Sequence, residues 1–154
     1  MSSLDFENAR LNAELLLSHV LQCRRIDMYI NFDTPVSENQ FAAFKSLFDR
    51  RLNHEPLQYI LGETEFMGLP FSVDRRVLIP RPETEILVEQ VIAFARNYPA
   101  QAVRILDIGT GSGNIAVSLA YHLEHATVSA IDCSTEALEL ARDNARRNAM
   151  EGRI

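Results

Sequence analysis

The chain has 154 residues and is 47% hydrophobic, which supplies enough apolar side chains for a packed core and excludes general disorder. It carries 15 Lys and Arg against 21 Asp and Glu, a net charge of −6, so it lacks the basic field that draws proteins to nucleic acid. No apolar stretch nears the ~20 residues that span a bilayer and no secretory signal begins the chain, so we expect a cytoplasmic protein with no membrane or direct nucleic-acid partner.

The first predicted region is a small helical bundle over residues 1–62. Apolar residues recur at spacings of three and four over residues 5–23, which predicts an amphipathic helix. A short helical piece is predicted at Asp27–Ile30. Pro56–Leu61 is predicted as another short helix, because the missing N–H of proline costs nothing in a first helical turn.

A capping box predicts where the longest helix of this bundle begins. Ser37 and Gln40 form the Ser-x-x-Gln pattern, in which each side chain binds the backbone of the other. Phe41, Phe44 and Phe48 follow at helical spacing. We expect these rings in the core, with an exposed groove for a protein partner as the alternative.

A connector over residues 63–82 is predicted to join the bundle to the rest of the chain. Glu63–Phe66 and Phe71–Asp74 are predicted as the strands of a β-hairpin, and a proline-rich stretch follows them. The next helix is predicted at Glu83–Asn97. Its expected inward-facing residues are Ile86, Leu87, Val91 and Phe94.

The third predicted part, residues 83–154, continues after that helix as a βαβα unit. Its predicted elements are the strand Val103–Ile108, the loop 109–113, the helix Asn114–Leu123, the strand Ala126–Ile131 and the helix Thr135–Asn148. A strand, a helix and a second strand within about 30 residues predict a parallel crossover, so the predicted fold class is α/β.

The residues that carry chemistry lie where these two strands end. Asp107 precedes a glycine loop that begins at Gly109, and Asp132 follows the second strand. Glycines let a ligand approach the backbone, and open parallel sheets bind ligands at the carboxyl ends of their strands. A carboxylate one strand away can accept two hydrogen bonds from a ribose diol. The pattern therefore predicts a nucleoside site.

The spacing of the glycines indicates which kind of nucleoside the loop would bind. A dinucleotide site has Gly-x-Gly-x-x-Gly/Ala, and Asn114 stands where the third small residue is needed, which disfavours an NAD-type oxidoreductase. The Gly-x-Gly-x-Gly spacing, with Asp107 two residues ahead, instead resembles the first motif of class I S-adenosylmethionine methyltransferases. This resemblance implies a Rossmann-like domain, with a cofactor whose cationic end Asp107 would neutralise or orient.

Several longer segments resemble, in the same order along the chain, the protein-(glutamine-N5) methyltransferases called HemK or PrmC. They are Glu55-Pro56-Leu57-Gln58-Tyr59-Ile60-Leu61-Gly62, Phe66-Met67-Gly68-Leu69, Ile79-Pro80-Arg81-Pro82-Glu83-Thr84-Glu85 and Ile105 to Ala116. The resemblance implies a helical domain that engages a peptide-chain release factor and a second domain that methylates the glutamine of its Gly-Gly-Gln motif. It also implies that Gly109, Thr110, Gly111, Ser112 and Gly113 line S-adenosylmethionine and that Asp132 holds its ribose.

One departure from that family concerns the methyl acceptor. The family's Asn-Pro-Pro-Tyr motif, which holds the substrate amide, is absent, and no Asn-Pro occurs in the chain. We therefore expect an N-terminal piece of a longer enzyme, with no catalytic residue of its own and no activity alone. We also expect an unpaired edge of the sheet, through which the piece could self-associate.

Three other functions stay open at this point. The acceptor could be a glutamine of a ribosomal protein or an amino group of a nucleic acid, or the chain could be a protein-binding module without catalysis. A metal site is not expected, because Cys23 and Cys133 lie 110 residues apart and no Cys/His cluster accompanies them.

Overall fold

A computed structural model describes residues 9–98 and 103–154. The chain divides into two compact units, one that ends at Leu61 and one from Gly62 to Ile154. The domain boundaries expected from sequence, 1–62, 63–82 and 83–154, stay predictions. None of the helices within the described ranges has both the length and the apolar character needed to cross a membrane.

The described part of the first unit consists of helices. They are α1 (Ala9–Leu21), α2 (Arg25–Ile30), α3 (Glu38–Leu52) and α4 (Leu57–Leu61). The prediction for α1 extended to residue 23, but Gln22 has a φ of 53°, and this left-handed residue ends the helix at Leu21. Positions 5–8 of that prediction lie outside the described residues.

Capping determines where α2 and α3 begin. The Asp27 carboxylate accepts a hydrogen bond from the Arg24 backbone N–H at 3.0 Å, and α2 begins at Arg25, two residues before the predicted start. The capping box of α3 is confirmed, because Ser37 Oγ accepts from the Gln40 N–H at 3.3 Å and Gln40 Oε1 accepts from the Ser37 N–H at 2.9 Å.

The aromatic residues of α3 do not form a core. Phe41 is 61% exposed, and Phe44 and Phe48 are half-buried and stack at 5.6 Å between ring centroids. The expectation that all three rings are buried was therefore wrong for Phe41. The buried apolar side chains that the structure describes in this unit are instead Leu16 and Ile60.

The second unit contains two small sheets and the helices around them. Its elements are β1 (Glu63–Phe66), β2 (Leu69–Ser72), α5 (Glu83–Arg96), β3 (Val103–Ile108), α6 (Asn114–His122), β4 (Ala126–Ile131), α7 (Thr135–Arg147) and a 3-10 helix (Glu151–Arg153). β1 and β2 pair antiparallel, and β3 pairs parallel with β4 over their full length. The predicted hairpin, the parallel pair and the α/β class are thus confirmed.

The hairpin turns earlier than predicted. Met67 and Gly68, with φ of 52° and 73°, form a two-residue turn with both residues left-handed, a geometry that matches the twist of a hairpin. β2 therefore begins at Leu69 instead of Phe71. Pro70, which falls between the two predicted strands, lies in β2 opposite Glu65.

Helix α5 presents a different face to the core than the sequence suggested. Val88, Ile92 and Ala95 are buried, whereas most of the residues expected to face inward are exposed. Those exposed residues are Ile86, Leu87 and Phe94, while Val91 is half-buried. The error arose because α5 is apolar on more than one side, so its periodicity alone does not choose the buried stripe.

The core of the second unit holds the hairpin, α5, α6 and β4 together. Phe66 and Phe71 meet edge to face, with ring centroids 6.2 Å apart, within a cluster that includes Val88, Leu119 and Val128. Among the described strands, β3 pairs only with β4, and its Ile108 is 74% exposed. Self-association through this edge stays a prediction.

Candidate cofactor site

The glycine loop lies where β3 and β4 end. The backbone N–H groups of Gly109 and Thr110 both donate to the Ile131 carbonyl, at 2.8 and 3.0 Å. This pair of bonds joins the start of the loop to the end of the neighbouring strand. It brings Asp107, the loop and Asp132 to the same edge of the sheet, as the sequence predicted.

The Asp132 side chain is held by the backbone around it. Its Oδ2 accepts from the Gly111 N–H at 2.8 Å, and its Oδ1 accepts from the Ser134 N–H at 3.0 Å. The N–H groups of Ser134 and then Gly111 hold the pKa of Asp132 below its ordinary value, so it is a carboxylate at neutral pH. The carboxylate is only half-buried, so it remains accessible to ligand hydroxyls.

Asp107 fixes the other side of the loop. Its Oδ2 accepts a 2.7 Å hydrogen bond from the Thr110 hydroxyl. Thr110 itself is buried, whereas Asp107 is only partly so. The Thr110 side chain therefore faces the protein, and its hydroxyl orients the Asp107 carboxylate.

The three glycines of the loop differ in what surrounds them. No described atom beyond the chain neighbours of Gly109 and Gly111 comes within 4 Å of where a Cβ would lie. A Cβ on Gly113 would instead lie 3.1 Å from the Ala141 Cβ of α7, and Ser112 is buried beside it. The loop thus has an open side at Gly109 and Gly111 and a packed side at Ser112 and Gly113.

Sequence reasoning missed one residue that contacts this loop. Asn144 lies in α7, is fully buried, and donates from Nδ2 to the Ser112 carbonyl at 2.8 Å. The available signal was a polar residue at helical spacing from Ala137 and Ala141, within an apolar stripe. A polar side chain in such a stripe indicates a buried hydrogen bond.

The site fits an organic cofactor and offers no cluster of metal ligands. Across residues 9–98 and 103–154, no three His, Cys, Asp or Glu side chains come together in an arrangement that could hold a metal ion. The seven residues predicted from sequence surround one loop and two strand ends, with two carboxylates and an exposed stretch of glycine backbone. Their assignment to a cofactor stays a prediction.

A family model matches a segment in each of the two units. The model of the PrmC N-terminal domain matches residues 2–62, and a methyltransferase domain model matches residues 99–153. The chain belongs to the HemK/PrmC family. Its membership confirms the resemblance noted from sequence, and the methyltransferase match covers β3, the glycine loop, β4 and α7 of this PrmC-type chain.

Curated relatives support the same family. The chain is 49% identical over 142 residues to a release factor glutamine methyltransferase of Geobacter sulfurreducens, covering 92% of the chain and 49% of that relative. It is 44% identical to the release factor glutamine methyltransferase of Chlorobaculum tepidum, over 96% of the chain and 51% of that relative. It is 42% identical to that of Nitratidesulfovibrio vulgaris, over 100% of the chain and 51% of that relative. The chain thus spans about half the length of the curated relatives that it matches.

Proposed function

We propose that this chain supplies the cofactor site and the helical domain for S-adenosylmethionine-dependent methylation of the glutamine side-chain amide in the Gly-Gly-Gln motif of a peptide-chain release factor. One observation carries the proposal. The ionised Asp132, at the end of β4, binds the backbone of a glycine loop that follows the neighbouring parallel strand. The names of the curated relatives support the reaction and its acceptor.

Each group of the loop has a distinct task in this proposal. Asp132, which is half-buried and ionised, accepts hydrogen bonds from the ribose hydroxyls. Gly109 and Gly111 leave room for the ligand beside the backbone. Asp107 offers a carboxylate to the cationic end. When bound, S-adenosylmethionine supplies a methyl group on a sulfonium, which is activated for transfer to a nucleophile.

The acceptor places a further demand on an enzyme of this kind. An amide nitrogen is a weak nucleophile because its lone pair is delocalised into the carbonyl, so the amide must be oriented and held at attack distance. The 154 residues contain no Asn-Pro, so they lack the amide-holding motif that the family resemblance implies. In this proposal the chain binds the cofactor and recognises the release factor. None of its residues is assigned the catalytic contact with the substrate amide.

A chimera tests the proposal directly. This chain replaces the matching half of the Geobacter sulfurreducens relative, and the chimera is incubated with S-adenosylmethionine and a release factor. Mass spectrometry should find one added methyl group on the glutamine of Gly-Gly-Gln. Asp132→Ala should abolish that product. Asp143→Ala is the matched control, because this aspartate of α7 is solvent-exposed and pairs only with surface arginine in the described contacts.

Parallel substrates decide between the proposed acceptor and the alternatives. A ribosomal protein and a nucleic acid are incubated under the same conditions as the release factor. Methylation of either one, with an unmodified release factor, would contradict the proposed acceptor while leaving the cofactor assignment in place. Retention of the release factor by a chimera that transfers no methyl group to any substrate would instead favour a binding module.

We also propose a cytoplasmic location. Release factors act on cytoplasmic ribosomes, so their modification fits that compartment. Cys23 and Cys133 are both free thiols, which is the state expected where glutathione keeps cysteines reduced.

A further inference from the structure

Asn144 is the most deeply buried polar side chain that contacts the candidate site. It is fully buried in α7, between Ala141 and Ala145 on the inward face of that helix. A buried amide without hydrogen bonds would cost free energy, so its presence in an apolar stripe requires specific partners.

The partners of Asn144 belong to two separate segments. Its Oδ1 accepts from the Ser72 N–H at 2.7 Å, and its Nδ2 donates to the Ser72 carbonyl at 3.0 Å and to the Ser112 carbonyl at 2.8 Å. Both amide hydrogens and the amide oxygen are therefore used. One side chain ties the end of β2 to the glycine loop through backbone atoms alone.

The close packing of α7 against the loop leaves little freedom for movement at the hydrogen bond between Asn144 and Ser112. A Cβ on Gly113 would meet the Ala141 backbone at 3.3 Å, so the helix lies directly against the packed side of the loop. The Ser112 carbonyl and the Gly113 N–H belong to one planar peptide group, so the hydrogen bond from Asn144 fixes the orientation of that group. The Gly111 N–H that binds Asp132 is one residue away from this anchor.

We propose that Asn144 is a positioning residue for the cofactor loop and that it couples this loop to the β1–β2 hairpin. The inference rests on the proposed function for its ligand, S-adenosylmethionine. Through the Ser112 carbonyl, Asn144 orients the loop that leads to the Gly111–Asp132 bond. Through Ser72, the same amide makes the position of the hairpin and the affinity for the cofactor depend on each other.

The helix provides a matched control at Asn148. This residue also donates from Nδ2 to a hairpin carbonyl, that of Pro70 at 2.9 Å, but its side-chain hydrogen bonds within the described residues do not reach the loop. Asn144→Asp and Asn148→Asp each replace an amide donor by a carboxylate of the same shape. Both variants disturb the contact between α7 and the hairpin, and only the first disturbs the loop.

Hydrogen exchange in the ligand-free, 154-residue chain is the first measurement. Asn144→Asp should speed exchange of the Gly111 and Gly113 amides at least tenfold, which corresponds to about 1.4 kcal/mol, because it removes a buried hydrogen bond to the loop. Asn148→Asp should leave the exchange of both amides within about twofold of the wild type. Equal effects of the two variants on these amides would overturn the proposal, whether or not the chain binds S-adenosylmethionine.

Calorimetry with S-adenosylmethionine is the second measurement. Asn144→Asp should weaken the binding of S-adenosylmethionine about tenfold or more. Asn148→Asp should leave the affinity within about threefold of the wild type, even if it lowers the melting temperature as much as Asn144→Asp does. Unchanged affinity in Asn144→Asp would refute the positioning role. Failure of the wild type itself to bind would instead refute the proposed function.

If Asn144→Asp does not fold, hydrogen exchange of the wild-type chain with and without S-adenosylmethionine tests the proposal. S-adenosylmethionine should then slow exchange of the Ser72 amide more than that of the Phe66 amide in the same hairpin, because only Ser72 contacts Asn144. Equal slowing at both amides would show general stabilisation without the proposed coupling and would contradict it.

Discussion

The two units of the chain use their apolar residues in different ways. In the second unit, Phe66 and Phe71 are buried against α5, α6 and β4 around a continuous core. In the described part of the first unit, only Leu16 and Ile60 are buried, and aromatic residues such as Phe32 and Phe41 remain largely exposed.

This difference suggests that the second unit is a rigid support for the glycine loop, whereas the first unit exposes much of its apolar surface. The second unit must hold two strand ends and a loop in fixed register, and a dense core resists displacement of the loop. The helices of the first unit depend more on caps and ion pairs, such as the Ser37 box and the Arg50–Glu55 pair at 2.8 Å. We therefore expect substitutions of the same type to have unequal effects in the two units.

A phenylalanine truncated in each unit gives the largest expected contrast. Phe71→Ala should lower the free energy of unfolding of the second unit by about 3–5 kcal/mol, because it leaves a cavity beside Phe66. Phe41→Ala removes a ring that is 61% exposed and should change stability by no more than about 0.5 kcal/mol. Urea denaturation of both variants measures the difference, and similar losses would show that the contrast between the units is false.

Within the second unit, two glycines separate backbone strain from crowding. Gly68 and Gly113 have φ of 73° and 78°, but only Gly113 lacks room for a Cβ. Gly68→Ala should cost about 1–2 kcal/mol from the left-handed backbone alone. Gly113→Ala should cost about 1 kcal/mol more, because α7 must also shift. Thermal unfolding ranks the two variants, and an equal or smaller cost at Gly113 would contradict the tight packing of the loop.

The smallest expected effect concerns pH in the first unit. Hydrogen bonds from Tyr29, then Arg10, and an additional one from Arg25 lower the pKa of Glu14 to about 2. Since the folded pKa lies below the ordinary 4.5, the stabilisation is complete above about pH 4.5 and is lost as pH falls towards 2. Tyr29→Phe should raise the pKa of Glu14 and narrow that window. A carboxyl NMR titration checks this, and an unchanged pKa would mean that the Tyr29 hydrogen bond has little influence in solution.

Local sequence signals predicted the elements that carry the site. The glycine loop and the strand Ala126–Ile131 were both predictable, because each depends on neighbouring residues. The capping box at Ser37 was found for the same reason. Such signals sufficed to place Asp107 and Asp132 at one edge of a parallel sheet.

Features that depend on distant partners were not predictable. The buried stripe of α5 is set by what packs on it, so Ile86 was expected inside and lies outside. Asn144 gains its role from Ser72 and Ser112, which lie 72 and 32 residues away in sequence. The helical spacing of Asn144 from Ala137 and Ala141 signals its burial, but nothing in the sequence signals which distant residues it binds, so only the three-dimensional arrangement reveals these contacts.

Titration calorimetry of S-adenosylmethionine into the chain tests the central claim most directly. The wild type should bind the nucleoside, and Asp132→Ala should weaken binding about a hundredfold, since hydrogen bonds to a charged acceptor contribute about 1.5–3 kcal/mol each and the substitution removes those to the ribose. Asp143→Ala should bind like the wild type. An affinity that is unaffected by Asp132→Ala would contradict the account of the site.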